Sequence, residues 1–158
     1  MGDVQNIPSH TIIIAEIGVN HNGDLETAKK MVQIAADAGA DFVKFQTFSA
    51  NSLVVENAKM AEYQIANTGS KQSQKELLRA LELPREWHPI LIKLADDLGI
   101  QFLTTAFDLE NLRFIESLKP EVYKIPSGEI TNLPYLKLMG SFGKKVIMST
   151  GMASLDEI

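Results

Sequence analysis

The sequence predicts an α/β fold with a parallel sheet, supplying about the first five β/α units of a (β/α)8 TIM-type barrel. Three observations point there. Short apolar runs alternate strictly with helix-periodic stretches, as parallel strands do when covering helices join them. The strand candidates are apolar runs, the first nearly continuous, as a strand buried on both faces should be. The chain has 158 residues, and Ile158 falls just after a fifth helix should open; a full barrel takes roughly 250 residues. An open, doubly wound sheet of flavodoxin type would be complete at this length, but would lack its last covering helix. The expectation is that residues 1–158 are the N-terminal part of a barrel domain whose closing strands are absent, which would leave strand edges exposed.

The first strand is expected over 11–17 (TIIIAEI), β-branched almost throughout. A polar turn, Asn20-His21-Asn22-Gly23, leads to Asp24, which is placed to cap a helix. That helix runs to about Ala38, with Leu25, Ala28, Met31, Val32, Ala35 and Ala36 three and four apart. Gly39 should stop it. A second strand over 41–47 (DFVKFQT) precedes a long polar segment, about 49–73. A helical region over 74–98 is broken near Leu83-Pro84 and ends at Gly99. The third strand is 100–104, the third helix 109–118, the fourth strand 121–125 and the next helix 133–141. The fifth strand is 145–150, and Ser154 with Glu157 reads as a capping box opening one more helix.

Composition narrows the class of function. Hydrophobic residues make up 45% and charged residues 22%, close to the average soluble domain, which argues against disorder, collagen-like repeats and coiled coil. No apolar run approaches the roughly 20 residues that cross a bilayer, and MGDVQNIPSH lacks the basic start of a signal peptide. With no cysteine, disulfides and thiolate metal sites are excluded, which fits a reducing cytoplasm. The formal charge of −5 implies no general affinity for nucleic acid, and nothing suggests a membrane partner. An anionic ligand must therefore be held by a few placed lysines.

In parallel α/β folds chemistry gathers at the carboxyl ends of strands. There the sequence sets Glu16 with Asn20 and His21, Lys44 and Gln46, Thr104 and Thr105, Lys124 with Ser127 and Glu129, and Ser149-Thr150-Gly151. Lys44 and Gln46, with Phe45 between them, share one strand face. Two lysines inside apolar strands are the least ordinary feature, since an unpaired buried ammonium is costly. Each pairs with Glu16 or Glu129, or holds an anionic ligand. Lysine, serine and threonine donors converging on one mouth suit a phosphate or carboxylate.

Other features have plainer readings. His21 is expected at a helix-start contact, and no two histidines show metal-ligand spacing. His10 and His88 are expected to be isolated and solvated. Asn20, Asn22 and Gly23 could simply build the turn. Phe102, Phe107, Phe114 and Phe142 read as core, and Trp87, beside the helix break, as packing.

Six ordered motifs then carry a resemblance. IIIAEIGVNHNGD, GADFVKFQTF, AEYQ, FLTTAFD, YKIPSGEITNLPYLKL and VIMSTGM together resemble the N-acetylneuraminate (sialic acid) synthase family, over nearly the whole chain. The first two look more like the neuraminate and legionaminate synthases than the pseudaminate ones. The resemblance implies a barrel enzyme that condenses phosphoenolpyruvate with an N-acylated hexosamine, typically N-acetylmannosamine, plus water. The products are a nine-carbon 2-keto sugar acid and phosphate. By the same resemblance Lys44, Thr105, Lys124, Ser127 and Ser149 bind phosphoenolpyruvate. Glu16 stands at the reacting centre, where it orients or deprotonates the attacking water, and Gln46 stands beside it. The family uses a divalent metal such as Mn2+, held by histidines on later strands, and so by none in this chain. A C-terminal antifreeze-like domain and a homodimer complete the implied protein, and this chain alone is expected to be inactive. Tyr63 and Asn67, in the long polar segment, are candidate sugar contacts. The alternatives are another phosphoenolpyruvate-dependent 3-deoxy-2-keto sugar acid synthase, or a non-catalytic anion-binding module.

Overall fold

The computed structural model describes residues 11–53 and 73–158. Its elements follow the predicted alternation. They are β1 (Ile14–Gly18), α1 (Leu25–Asp37), β2 (Phe42–Thr47), α2 (Ala50–Leu53), α3 (Gln74–Ala80), α4 (Trp87–Asp97) and β3 (Gln101–Ala106). After these come α5 (Leu109–Ser117), β4 (Val122–Ile125), a 3-10 turn (Ser127–Glu129), α6 (Leu133–Ser141) and β5 (Lys145–Met148). All recorded pairings are parallel: β1 with β2, β2 with β3, and β4 with β5.

Local chemistry sets the boundaries. Asp24 caps α1, its Oδ1 accepting from Thr27 N at 2.7 Å, and Gly39 follows the helix at φ +77°, where a side chain would be strained. The break near Leu83-Pro84 divides α3 from α4 as expected. Ser73 and Glu76 form a reciprocal capping box on α3, and Asn132 caps α6 through Tyr135 N. At the far end Ser154 N donates to Glu157 Oε2 at 2.8 Å, the bond of a capping box, while residues 155–157 form a turn.

Two apolar clusters back the strands. Ala28, Val32 and Ala35 of α1 and Leu91 and Ala95 of α4 pack with Val43 and Phe45 of β2. Leu112 and Ile115 of α5 and Tyr135 and Met139 of α6 pack with Ala106, Tyr123 and Ile125. The helices therefore cover one face, and the opposite strand face carries the polar residues discussed below.

Two expectations need correction. The first strand was expected to be buried on both faces, but Ile12 and Ile13 just before β1 are exposed. Val146, Ile147 and Met148 of β5 are exposed too, as expected of strands without closing partners. Among the described residues each of these strands has one ladder neighbour, so its other edge is uncovered. At the amino ends of the strands the open face borders a cavity of about 900 Å3 whose lining includes Ile12, Phe42, Val122 and Ile147. The second correction concerns His88, expected in solvent but fully buried. It lies three and seven residues before Leu91 and Ala95, on the same apolar face of α4.

Candidate active site

At the carboxyl ends of the strands lies a cleft of about 440 Å3. All seven residues singled out from the sequence line it: Glu16, Lys44, Gln46, Thr105, Lys124, Ser127 and Ser149. They come from four strands and two following turns, spread over more than 130 positions of sequence, so the parallel topology brings them together.

Strand register explains the placing. Glu16 of β1 is level with Lys44 of β2, and the two form an ion pair. The Lys44 side chain is only 12% exposed, against 51% for Glu16. Lys44 Nζ also lies 3.5 Å from Thr105 Oγ1, at the limit of a hydrogen bond. One step along, Gln46 is level with Thr105. Thr104 and Thr105 were read together, but adjacent strand residues point to opposite faces. Thr105 enters the cleft, while Thr104 turns to the helix side.

Lys124 behaves differently from Lys44. Its Nζ donates to Ser149 Oγ and to Ile125 O, both at 2.6 Å. Among the described residues no carboxylate lies within ion-pair distance of it; Glu129 bonds Asn132 instead. Of the two expected roles, carboxylate pairing fits Lys44, and Lys124 is left with an ammonium aimed at the cleft. Burial lowers its pKa below the usual lysine value, the Lys44 charge lowers it further, and Glu16 partly offsets both.

Glycines make room for this arrangement. Gly18, at the end of β1, has φ +57°, and the β1–β2 register shifts between Glu16 and Gly18. A Cβ there would stand 3.3 Å from Glu16 Oε1 and 3.4 Å from Gln46 Nε2. Sequence reasoning missed Gly18, and it missed that Phe107 lines the cleft when it was read as core. The local signal for Gly18 was a glycine directly after a strand that ends in a charged residue.

In the β1–α1 turn, Asn20 lines the cleft and His21 does not. His21 is fully buried, with Nδ1 accepting from Gly23 N at 3.1 Å, so it makes the expected helix-start contact. Among the described residues its Nε2 has no hydrogen-bond partner, and the ring lies between Phe45 and Trp87. Burial lowers its pKa. Trp87 thus packs, as expected. Phe102 stacks on Phe45, Phe114 packs edge-on against His88 and Phe142 packs on Tyr123, so these three phenylalanines are core. His10, Tyr63, Asn67 and the AEYQ motif lie outside the described residues.

Among the described residues no group of three or more His, Asp or Glu side chains could hold a metal ion. The one carboxylate lining the cleft, Glu16, is already paired with Lys44. These residues therefore do not themselves fit a metal site. No helix among them is long and apolar enough to cross a membrane.

Comparison with known proteins places the chain. It is 53% identical over 94% of its length to an N,N'-diacetyllegionaminic acid synthase of Campylobacter jejuni, and 51% identical over 92% to one of Legionella pneumophila. The chain spans 44% and 41% of those proteins, less than half of each. The crystal structure of an N-acetylneuraminic acid (sialic acid) synthetase from Leptospira borgpetersenii, in complex with citrate, superposes with a TM-score of 0.77 at 32% identity. That match covers 93% of this chain and 47% of the other. Residues 31–158 match the NeuB family. With its sequence relatives, its structural neighbour and the motif matches in agreement, the chain belongs to the NeuB family of sialic acid synthases.

Proposed function

We propose that the protein carrying this chain condenses phosphoenolpyruvate with an N-acylated hexosamine and water, giving a nine-carbon 2-keto sugar acid and phosphate. The observation that carries this reading is Lys124, an ammonium in the cleft with Ser149 on its Nζ and no carboxylate partner among the described residues. Lys44 faces the same space, so two ammoniums meet one lining carboxylate, Glu16. A ligand bearing both a phosphate and a carboxylate answers that surplus of positive charge, with Thr105, Ser127 and Ser149 as hydroxyl donors.

In this reading the phosphoenolpyruvate is held so that its methylene carbon faces the open-chain aldehyde of the sugar. A new carbon–carbon bond turns the aldehyde oxygen into an alkoxide, which takes up, in net, the proton that Glu16 removes in the next step and so restores Glu16. The same bond leaves positive charge on the former enol carbon. Water adds there, passing its proton to Glu16, which Lys44 holds in place and Gln46 flanks. The hydroxyl so formed gives its proton to the departing phosphate as the carbon–oxygen bond breaks and the ketone forms. Lys124 and Ser149 offset the charge on the leaving phosphate. An Mn2+ ion, implied by the family resemblance, would draw its ligands from outside this chain and would supply a Lewis acid for the sugar aldehyde. A barrel closed by further strands and a homodimer belong to the same proposal.

For the sugar, the two relatives described above, each more than half identical to this chain, are N,N'-diacetyllegionaminic acid synthases. Removing the three carbons of phosphoenolpyruvate from a nine-carbon product with two acetylated nitrogens leaves a hexose with two acetamido groups. We therefore place a di-N-acetylated hexosamine ahead of N-acetylmannosamine.

The test is phosphate release from phosphoenolpyruvate with each sugar and Mn2+, using the longest chain the gene encodes. Sugar-dependent release, lost in Lys124→Ala, is the expected result. Binding of phosphoenolpyruvate with no turnover on any acylated hexosamine or phosphorylated aldose would favour the non-catalytic module instead.

A further inference from the structure

The strongest unused feature lies behind the cleft. Thr47 Oγ1 is 2.8 Å from His88 Nε2 and 2.8 Å from Thr104 Oγ1, with all three residues buried. His88 Nδ1 is 3.1 Å from Pro84 O. A carbonyl only accepts, so Nδ1 carries the proton and Nε2 is the acceptor. The Thr47 hydroxyl must then donate to Nε2, and its oxygen accepts from the Thr104 hydroxyl. The chain of donors has one direction: Thr104 to Thr47 to His88, and His88 onward to the backbone at the α3–α4 break.

A buried histidine at a helix start could be nothing more than a satisfied core group. The placing of the threonines argues for more. Thr47 directly follows Gln46, and Thr104 directly precedes Thr105. Gln46 and Thr105 are level across β2 and β3 and line the cleft, while Thr47 and Thr104 sit on the opposite face of the same strand ends. The β2–β3 ladder runs out at Thr47 and Ala106, so the network braces the pair where the ladder stops bracing it. A small slip between the strands would separate Thr105 from Lys44, already at the limit of hydrogen-bond distance.

We infer that His88 is a positioning residue for the anion side of the cleft, fixing Lys44, Gln46 and Thr105 through Thr47 and Thr104. This rests on the reading of the cleft as a phosphoenolpyruvate site. The experiment is calorimetric titration of phosphoenolpyruvate into the longest chain the gene encodes, well below each variant's unfolding temperature, alongside KM for the sugar. His88→Phe keeps the bulk and removes both ring nitrogens. It is expected to weaken phosphoenolpyruvate binding about tenfold, the scale of a sub-ångström misplacement, with the sugar KM unchanged. His88→Gln, whose amide oxygen can accept from Thr47, should restore most of the affinity. If His88→Phe does not fold, Thr104→Val breaks the same network from its other end and should shift affinity in the same direction.

A loss of stability alone, with phosphoenolpyruvate affinity within about twofold of the unmodified protein in the variants that fold, would overturn the inference and leave the function standing. Absence of phosphoenolpyruvate binding by the unmodified protein is a different result. It would overturn the reading of the cleft and this inference with it.

Discussion

Lys124 and Ser149 meet across neighbouring strand ends, Nζ to Oγ at 2.6 Å, with the Ile125 carbonyl at the same distance from Nζ. Ser149 N in turn donates to Ile125 O at 3.1 Å, extending the β4–β5 pairing past Met148. One carbonyl thus fixes both the lysine and the serine that faces it. Replacing Lys124 by Met should remove one charge-assisted contact to the ligand, worth about 1.5–3 kcal/mol. That corresponds to a roughly 10- to 100-fold weaker affinity for phosphoenolpyruvate, to be measured by equilibrium titration. Ser149→Ala should cost less, since it removes a neutral hydroxyl and leaves the ammonium in place.

The same lysine makes affinity depend on pH on the alkaline side. Burial and the Lys44 charge both lower the Lys124 pKa, and Glu16 raises it. The ammonium is the form that binds an anion, so affinity should fall as pH rises through that lowered value, earlier than an ordinary lysine would require. Lys44→Met removes a lowering charge and should move this fall to higher pH. Glu16→Gln removes the raising charge and should move it lower. Phosphoenolpyruvate titrations across the alkaline range check the two opposite shifts, and movement in one direction for both would sink this account of the electrostatics.

The seven cleft residues were legible because each stands at the end of an apolar run, and parallel topology sends all such ends to one side. Asp24, Gly39 and the Leu83-Pro84 break were legible because their effects are local. His88 was not. Its partner Thr47 is 41 positions away, and a single histidine reads as solvent-facing unless its helix face is counted with Leu91 and Ala95. Phe107 was misplaced because hydrophobicity does not say whether a ring backs a strand or lines a cleft. The exposure of β5 followed only from its missing neighbours, since its sequence is as apolar as a covered strand and burial depends on what lies beside it.

Three glycines with positive φ should respond differently to alanine. Gly39 has nothing within 4 Å of the new Cβ, so Gly39→Ala meets only backbone strain, roughly 1 kcal/mol. Gly23 has φ +71°, and its Cβ would lie 2.4 Å from the Ala80 carbonyl oxygen. Gly23→Ala must push the β1–α1 turn off the end of α3 and should cost about 2–4 kcal/mol. Gly18→Ala should cost stability near the lower figure but impair activity most, because its Cβ presses on Glu16 and Gln46. Urea unfolding midpoints with parallel activity assays separate the three. Gly39→Ala destabilising as much as Gly23→Ala would contradict the packing argument.

Acid should weaken the fold through His88. Burial is the largest influence on the ring and lowers its pKa from 6.5 to about 4, with the backbone acceptors at Pro84 and Arg85 opposing. The Arg85 charge lowers it further, and Glu86 raises it. The unfolded chain therefore takes up a proton near pH 6.5 that the folded chain refuses until about 4, so stability falls as pH drops through that window. Above pH 6.5 both states hold the ring neutral and His88 adds no pH dependence. The full loss is about 3 kcal/mol below the folded pKa, and His21, also lowered by burial, adds in the same direction. Denaturant unfolding from pH 7.5 down to 4.5 should show this decline. In His88→Gln the slope should flatten, since the group that titrates only in the unfolded state is gone. An unchanged slope in a folded His88→Gln protein would assign the acid sensitivity to His21 or to the carboxylates.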